Sequence, residues 1–157
     1  MFAVYASKAS PDDPLAALAT GDLPAPEVPE GWLRIKISHA SLNRHDIFTL
    51  RGITAHPEGI SFPMILGNDG VGILDDGTLV VIYPVLGSYD WREDETLDPN
   101  WHIFSEFLPG TFADYIAVPR RNAVPLASGL SALHASVLGT AWLTAYRALF
   151  TKSALQP

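Results

Sequence analysis

The chain has 157 residues, of which 48% are hydrophobic and 17% charged, with a net charge of −7. That is enough apolar material for one packed domain of ordinary size, and it excludes a disordered chain. An acidic balance without any Lys/Arg-rich stripe excludes a nucleic-acid partner, because neutralising phosphates needs clustered cations.

In chain order, residues 2–6, with Phe2, Val4 and Tyr5, predict a short first strand. Pro11 to Pro29 is rich in Pro, Ala and Asp and reads as a loop with one short turn. Trp32 to Ser38 alternates apolar and polar residues, the period-2 pattern of a half-buried strand. Val71–Leu74, Asp75–Thr78 and Leu79–Tyr83 read as strand, Asp-Gly turn and strand. Residues 84–109 form a long loop carrying Trp91, Asp98, Trp101 and His102, and a loop of that length is often functional or disordered. Ala113–Val118 is another alternating strand, closed by Pro119. Short strands punctuated by Gly and Pro predict a mainly β domain, a distorted antiparallel barrel.

After about Ser128 the pattern changes. Leu130 to Phe150 is rich in Ala and Leu, and Leu138, Leu143, Tyr146, Leu149 and Phe150 fall on helical spacing, predicting two helices broken near Gly139. Residues 1–137 are thus read as the β domain and 138–157 as the start of a helical connection. No strand with a glycine-rich phosphate turn follows. No apolar run approaches the ~20 residues of a membrane span. Residues 1–20 lack a basic start followed by an apolar stretch, so a cytoplasmic location is the default expectation.

Four segments carry a family resemblance: Ser41-Leu42-Asn43-Arg44-His45-Asp46, Gly67-Asn68-Asp69-Gly70-Val71-Gly72, Gly110-Thr111-Phe112-Ala113-Asp114-Tyr115, and Leu143 through Leu149. In this order they resemble the medium-chain dehydrogenase/reductase superfamily, the group of alcohol dehydrogenases and quinone oxidoreductases. The resemblance implies an N-terminal GroES-like β fold. It also implies a redox enzyme whose Rossmann domain is expected beyond Pro157, so that residues 1–157 alone are expected to be inactive.

In zinc-dependent relatives, the places of Asn43, Asn68 and Thr140 hold metal ligands. The resemblance places a cofactor-phosphate contact at Arg44, a proton-relay group at His45, and a nicotinamide contact at Thr144. A catalytic zinc wants about three ligands drawn from His, thiolate and carboxylate. Here there is no cysteine, Asn43, Asn68 and Thr140 are weak neutral donors, and Asp69 alone cannot hold the ion. The expectation is therefore no metal, and NADPH as hydride source by resemblance to the zinc-independent branch.

Without a Lewis acid, hydrogen-bond donors must stabilise the developing oxyanion of a carbonyl, quinone or enone. Asn43, His45 and Asn68 are the available catalytic candidates, and Arg44 and Thr144 the cofactor-binding ones. The same residues have plainer roles open to them. Gly67-Asn68-Asp69-Gly70 suits a tight turn, and Arg44 is either a phosphate clamp or an ordinary surface cation. His39, His56, His102 and His134 are scattered without metal-ligand spacing. Phe112 and Tyr115 are expected in the β core, and Trp91 and Trp101 are expected to bury aromatic area in the long loop.

Two further readings stay open: a stand-alone GroES-like binding module without catalysis, and a zinc-dependent alcohol dehydrogenase with atypical ligands. Besides a small-molecule substrate, the expected partner is the Rossmann domain. Without it, apolar surface on the last helix should be exposed and favour homo-oligomers.

Overall fold

The computed structural model describes residues 1–55, 58–153 and 155, so His56 lies outside the described residues. Ten strands are described: β1 (Phe2–Ala6), β2 (Leu18–Asp22), β3 (Trp32–Ser41), β4 (Met64–Ile65), β5 (Asp69–Ile73), β6 (Leu79–Ile82), β7 (Val85–Leu86), β8 (His102–Ile103), β9 (Tyr115–Pro119) and β10 (Ala123–Pro125). The helices are α1 (Arg44–Arg51), α2 (Ala132–Ala135) and α3 (Leu143–Tyr146), the last flanked by π-helical turns Leu138–Trp142 and Arg147–Lys152.

The main sheet has the order β10-β6-β5-β3-β9, and every pairing in it is antiparallel. It curls into a half-barrel, the mainly β antiparallel arrangement that the strand-and-turn pattern predicts. Alternation in β3 and β9 turns Ile35, Ile116 and Val118 inward, where they meet Val80 and Ile82 of β6, Leu86 and Phe104. Burying such side chains stabilises by about 1.5–3 kcal/mol each. A second sheet has the order β2-β1-β4, and its Ala6 packs with Ala17, Leu50 and Leu66.

Three local expectations are corrected. The Pro11–Pro29 segment is not only loop: Leu18–Asp22 forms β2 against β1, with Val4 opposite Thr20. Its composition hid a strand whose hydrogen bonds come from a distant partner, a tertiary effect that local preference cannot report. Residues 84–109 hold β7 and β8, paired through Val85 with Ile103, besides a 3-10 turn at Glu95–Leu97. The helical break falls at Ser136–Val137, and Gly139 sits inside a π-helical turn instead.

Helix α1 was not anticipated, because its eight residues carry a weak apolar stripe. Its start is fixed by Asp46, whose Oδ2 accepts from the backbone N–H of Asn43 at 2.7 Å, the reciprocal bond of a capping box. Its end is fixed by Gly52, which takes the left-handed conformation (φ 74°) open to a residue without Cβ. Leu50 anchors the helix on the second core cluster.

Of the expected core aromatics, Phe112 packs against that cluster, and Tyr115 is half-buried with the Arg34 guanidinium 5.7 Å from its ring centre. Trp91 and Trp101 are both half-buried in the long loop. That loop is pinned to the last helix: the Asp94 carboxylate takes both Arg147 and Lys152. These cations, Lys152 foremost, and bonds from Thr96 hold the Asp94 carboxyl well below the usual carboxylate range. Among the described residues, no helix is long and apolar enough to cross a membrane.

Candidate functional site

Antiparallel pairing of β3 with β5 sets Ser41 opposite Asp69 and Ala40 opposite Gly70. The first two motif segments therefore meet at the end of one strand pair. Asp46 ties them again, because its Oδ1 accepts the backbone N–H of Gly67 at 2.9 Å. Burial raises the Asp46 carboxyl above its ordinary value, opposed by the N–H groups of Asn43 and Gly67.

Asp69 is the hub. It is 1% exposed, and three neutral side chains donate to its carboxylate. Ser41 Oγ and Asn43 Nδ2 reach Oδ2 at 3.1 and 2.9 Å, and Thr140 Oγ1 reaches Oδ1 at 2.6 Å. Hydrogen bonds to a charged group are the stronger kind, so this one carboxylate joins β3, the start of α1, β5 and the last helical region. Gly139 lets that helix come close: a Cβ there would stand 2.8 Å from Asp69 Oδ1 and 3.2 Å from the Ile82 carbonyl. Thr111 completes the frame by donating to the Asp69 carbonyl oxygen at 2.7 Å.

The candidate residues fall into three environments. Asn43 lies at the edge of the hub with one amide N–H committed to Asp69. Asn68 is fully buried; its Nδ2 donates to the Phe104 carbonyl at 2.5 Å, while its Oδ1 has no hydrogen-bond partner among the described residues. Arg44 and Thr144 are both exposed, and the Arg44 guanidinium lies 5.8 Å from the Phe48 ring centre. Among the described residues, no group of three or more His, Cys, Asp and Glu side chains is placed to hold a metal ion.

His45, on the first turn of α1, is half-buried with its Nε2 3.3 Å from Glu106 Oε1. The approach is too oblique for a full hydrogen bond. Burial lowers the imidazole pKa below its ordinary 6.5, and the attraction of Glu106 and Asp46 offsets this only in part. The chain segment Phe104–Glu106 crosses here. Its three residues meet Asn68, Thr49 and His45 in turn, with Thr49 Oγ1 donating to the Ser105 carbonyl at 2.7 Å.

Two participants escaped sequence reasoning. Ser41 was legible in principle, since a strand register joining the two motifs puts it opposite Asp69. Glu106 left no signal, because it reaches His45 from an irregular loop far along the chain. Of the other described histidines, His39 contacts Ser38, His102 the Asn100 carbonyl, and His134 Ser131.

The chain is similar to known proteins. Residues 29–128 match the alcohol dehydrogenase GroES-like domain. A zinc-type alcohol dehydrogenase-like protein of Schizosaccharomyces pombe is 30% identical over 128 residues, which are 81% of this chain and 35% of that protein. The solved structure of an NAD-dependent alcohol dehydrogenase superposes with a TM-score of 0.89 at 29% identity, over 100% of this chain and 48% of that one. A quinone oxidoreductase from Thermus thermophilus, solved also with NADPH, gives a TM-score of 0.68 at 25% identity, over 100% of this chain and 42% of its own. The chain thus spans half or less of the length of these relatives. With a family match over most of its length and motif segments meeting around Asp69, the chain belongs to the alcohol dehydrogenase GroES-like domain family.

Proposed function

We propose that this chain is the substrate-side domain of an oxidoreductase that transfers hydride between a nicotinamide cofactor, NADPH in our reading, and a carbonyl, quinone or enone, without a catalytic zinc. The observation that carries the zinc-free reading is the Asp69 hub. Both carboxylate oxygens are occupied by neutral donors, and the family resemblance puts two of those, Asn43 and Thr140, at ligand places of zinc-dependent relatives. Amide and hydroxyl oxygens are poor zinc donors, so a metal here would have one strong ligand and would have to displace three hydrogen bonds.

A bound nicotinamide would supply or take up the hydride. The part assigned to this domain is polar and positional. His45 carries the proton that balances the change at the substrate oxygen, and its lowered pKa keeps it neutral near pH 7, ready to accept. The second amide N–H of Asn43 is the donor left for that oxygen, oriented by the first on Asp69. Asn68 we assign to the scaffold, since it is sealed from solvent and committed to Phe104. Arg44 suits a cofactor phosphate because an exposed guanidinium pairs two phosphate oxygens, and Thr144 is the nicotinamide-side contact.

Cofactor grip requires far more than Arg44 and Thr144, so we assign its main anchor to a Rossmann domain. The apolar row Trp142, Tyr146, Leu149 and Phe150, all exposed, is the surface assigned to that domain, with self-association as the outcome in its absence.

The test uses the 157-residue chain alone and the same chain joined to a Rossmann domain. Elemental analysis should find no stoichiometric zinc in either. Only the longer form should bind NADPH in calorimetry and oxidise it with quinones or enones. About one tightly held zinc per chain would refute the metal-free site, and comparable turnover by the short form would refute the division of labour.

A further inference from the structure

We propose that Glu106 is the positioning residue for His45: its carboxylate holds the imidazole in the Nε2–H tautomer, leaving Nδ1 as the atom that takes and returns the proton. The role of His45 rests on the function proposed above, whereas the pair itself rests on geometry alone.

His45 Nε2 is buried, and the Glu106 carboxylate oxygen stands 3.3 Å from it. A ring-nitrogen lone pair facing a carboxylate would be repelled, so this nitrogen carries the hydrogen even though the approach is oblique. The side chains are only 14% and 10% exposed, which leaves the attraction little screened. Nδ1, which makes no hydrogen bond to the described residues, is then the ring's remaining acceptor.

Both partners are held in place. Phe48 meets the imidazole edge-on with ring centres 6.3 Å apart. Thr54 Oγ1 donates to Glu106 Oε2 at 2.7 Å, fixing the other carboxylate oxygen. Ser105 just before it has φ 66°, a left-handed conformation uncommon outside glycine, and its carbonyl is anchored by Thr49. Backbone strain of this kind persists where the surroundings impose it, and here it sets the direction from which Glu106 reaches the ring.

Glu106 also lines a cavity of about 410 Å³, together with Glu58, Trp101, His102 and Phe107. The carboxylate therefore faces His45 on one side and a space wide enough for water on the other. In the oxidative direction the substrate O–H bond breaks and an Nδ1–H bond forms. The positive charge gained by the ring is balanced by Glu106, and the reverse holds in reduction. Asp46, on the same helix, is the other charged group acting on the ring, and its oxygens are already engaged by the N–H groups of Asn43 and Gly67.

Nitrogen NMR of the histidine-labelled 157-residue chain reads the tautomer directly and needs no variant. The expected result is Nε2–H for His45. An Nδ1–H tautomer would overturn the proposal. Glu106→Gln should lower the His45 titration midpoint by about one pH unit, with a smaller shift in Glu106→Asp. An unmoved midpoint in a folded Glu106→Gln would also overturn it. If that variant does not fold, the wild-type tautomer and the Glu106→Asp shift decide. None of these readouts depends on turnover, so a failed redox assay would leave them intact. Loss of the pair would likewise leave hydride transfer standing.

Discussion

Replacing Thr140 by Val removes one hydroxyl, keeps the side-chain shape, and leaves Asp69 Oδ1 without a donor. Among the described residues, that oxygen has Thr140 as its one hydrogen-bond donor, whereas Oδ2 is shared by Ser41 and Asn43. A hydrogen bond to a charged group contributes about 1.5–3 kcal/mol, and stranding a buried acceptor places the loss at the upper end. We therefore expect Thr140→Val to cost about 2–3 kcal/mol. Ser41→Ala, which leaves Oδ2 still bonded to Asn43, should cost about 1 kcal/mol. For a domain of this length these losses correspond to roughly 4–12 °C and 2–4 °C in Tm. Urea unfolding followed by tryptophan fluorescence, with the slope compared between variants, gives the free energies. The reasoning fails if Thr140→Val lies within about 0.5 kcal/mol of wild type, the scatter of neutral surface changes, or if Ser41→Ala costs more.

Other outcomes follow from the same geometry. Ala is better than Gly in an open helix by about 1 kcal/mol. At Gly139 its Cβ would press on Asp69 Oδ1 and the Ile82 carbonyl, so Gly139→Ala should instead destabilise by about 1–3 kcal/mol, as overpacking does. A stabilised variant would show that the helix is not seated there. His45, with its folded pKa below the ordinary 6.5, binds a proton less readily folded than unfolded. Its contribution is complete above pH 6.5 and is lost as pH falls toward the lowered value. Wild type should lose stability as pH falls from neutral through 6.5 while His45→Gln loses less, and equal slopes would refute this. Asp94→Asn should free Arg147 and Lys152 and raise amide hydrogen exchange in the last helix. Unchanged exchange would show that the Asp94 clamp holds nothing.

The sequence by itself carried the fold class, because alternation in β3 and β9 and the Asp-Gly turn between β5 and β6 are local patterns whose period survives in one dimension. Family order in the four motif segments likewise carried the GroES-like identity and drew attention to Asn43, Asn68 and Thr140. What those residues do was decided by tertiary structure. Asn43 and Thr140 converge on Asp69 only because β3 and β5 pair in one register and Gly139 lets the last helix approach. Asn68, similar in type and motif, is instead turned inward to Phe104. Strand β2 and helix α1 were hidden because one depends on a distant partner strand and the other on a cap and a few anchors rather than a long apolar stripe. Glu106 beside His45 is the extreme case, since a contact across 61 positions of sequence leaves no periodicity or spacing to read, and only the folded chain brings the two side chains together.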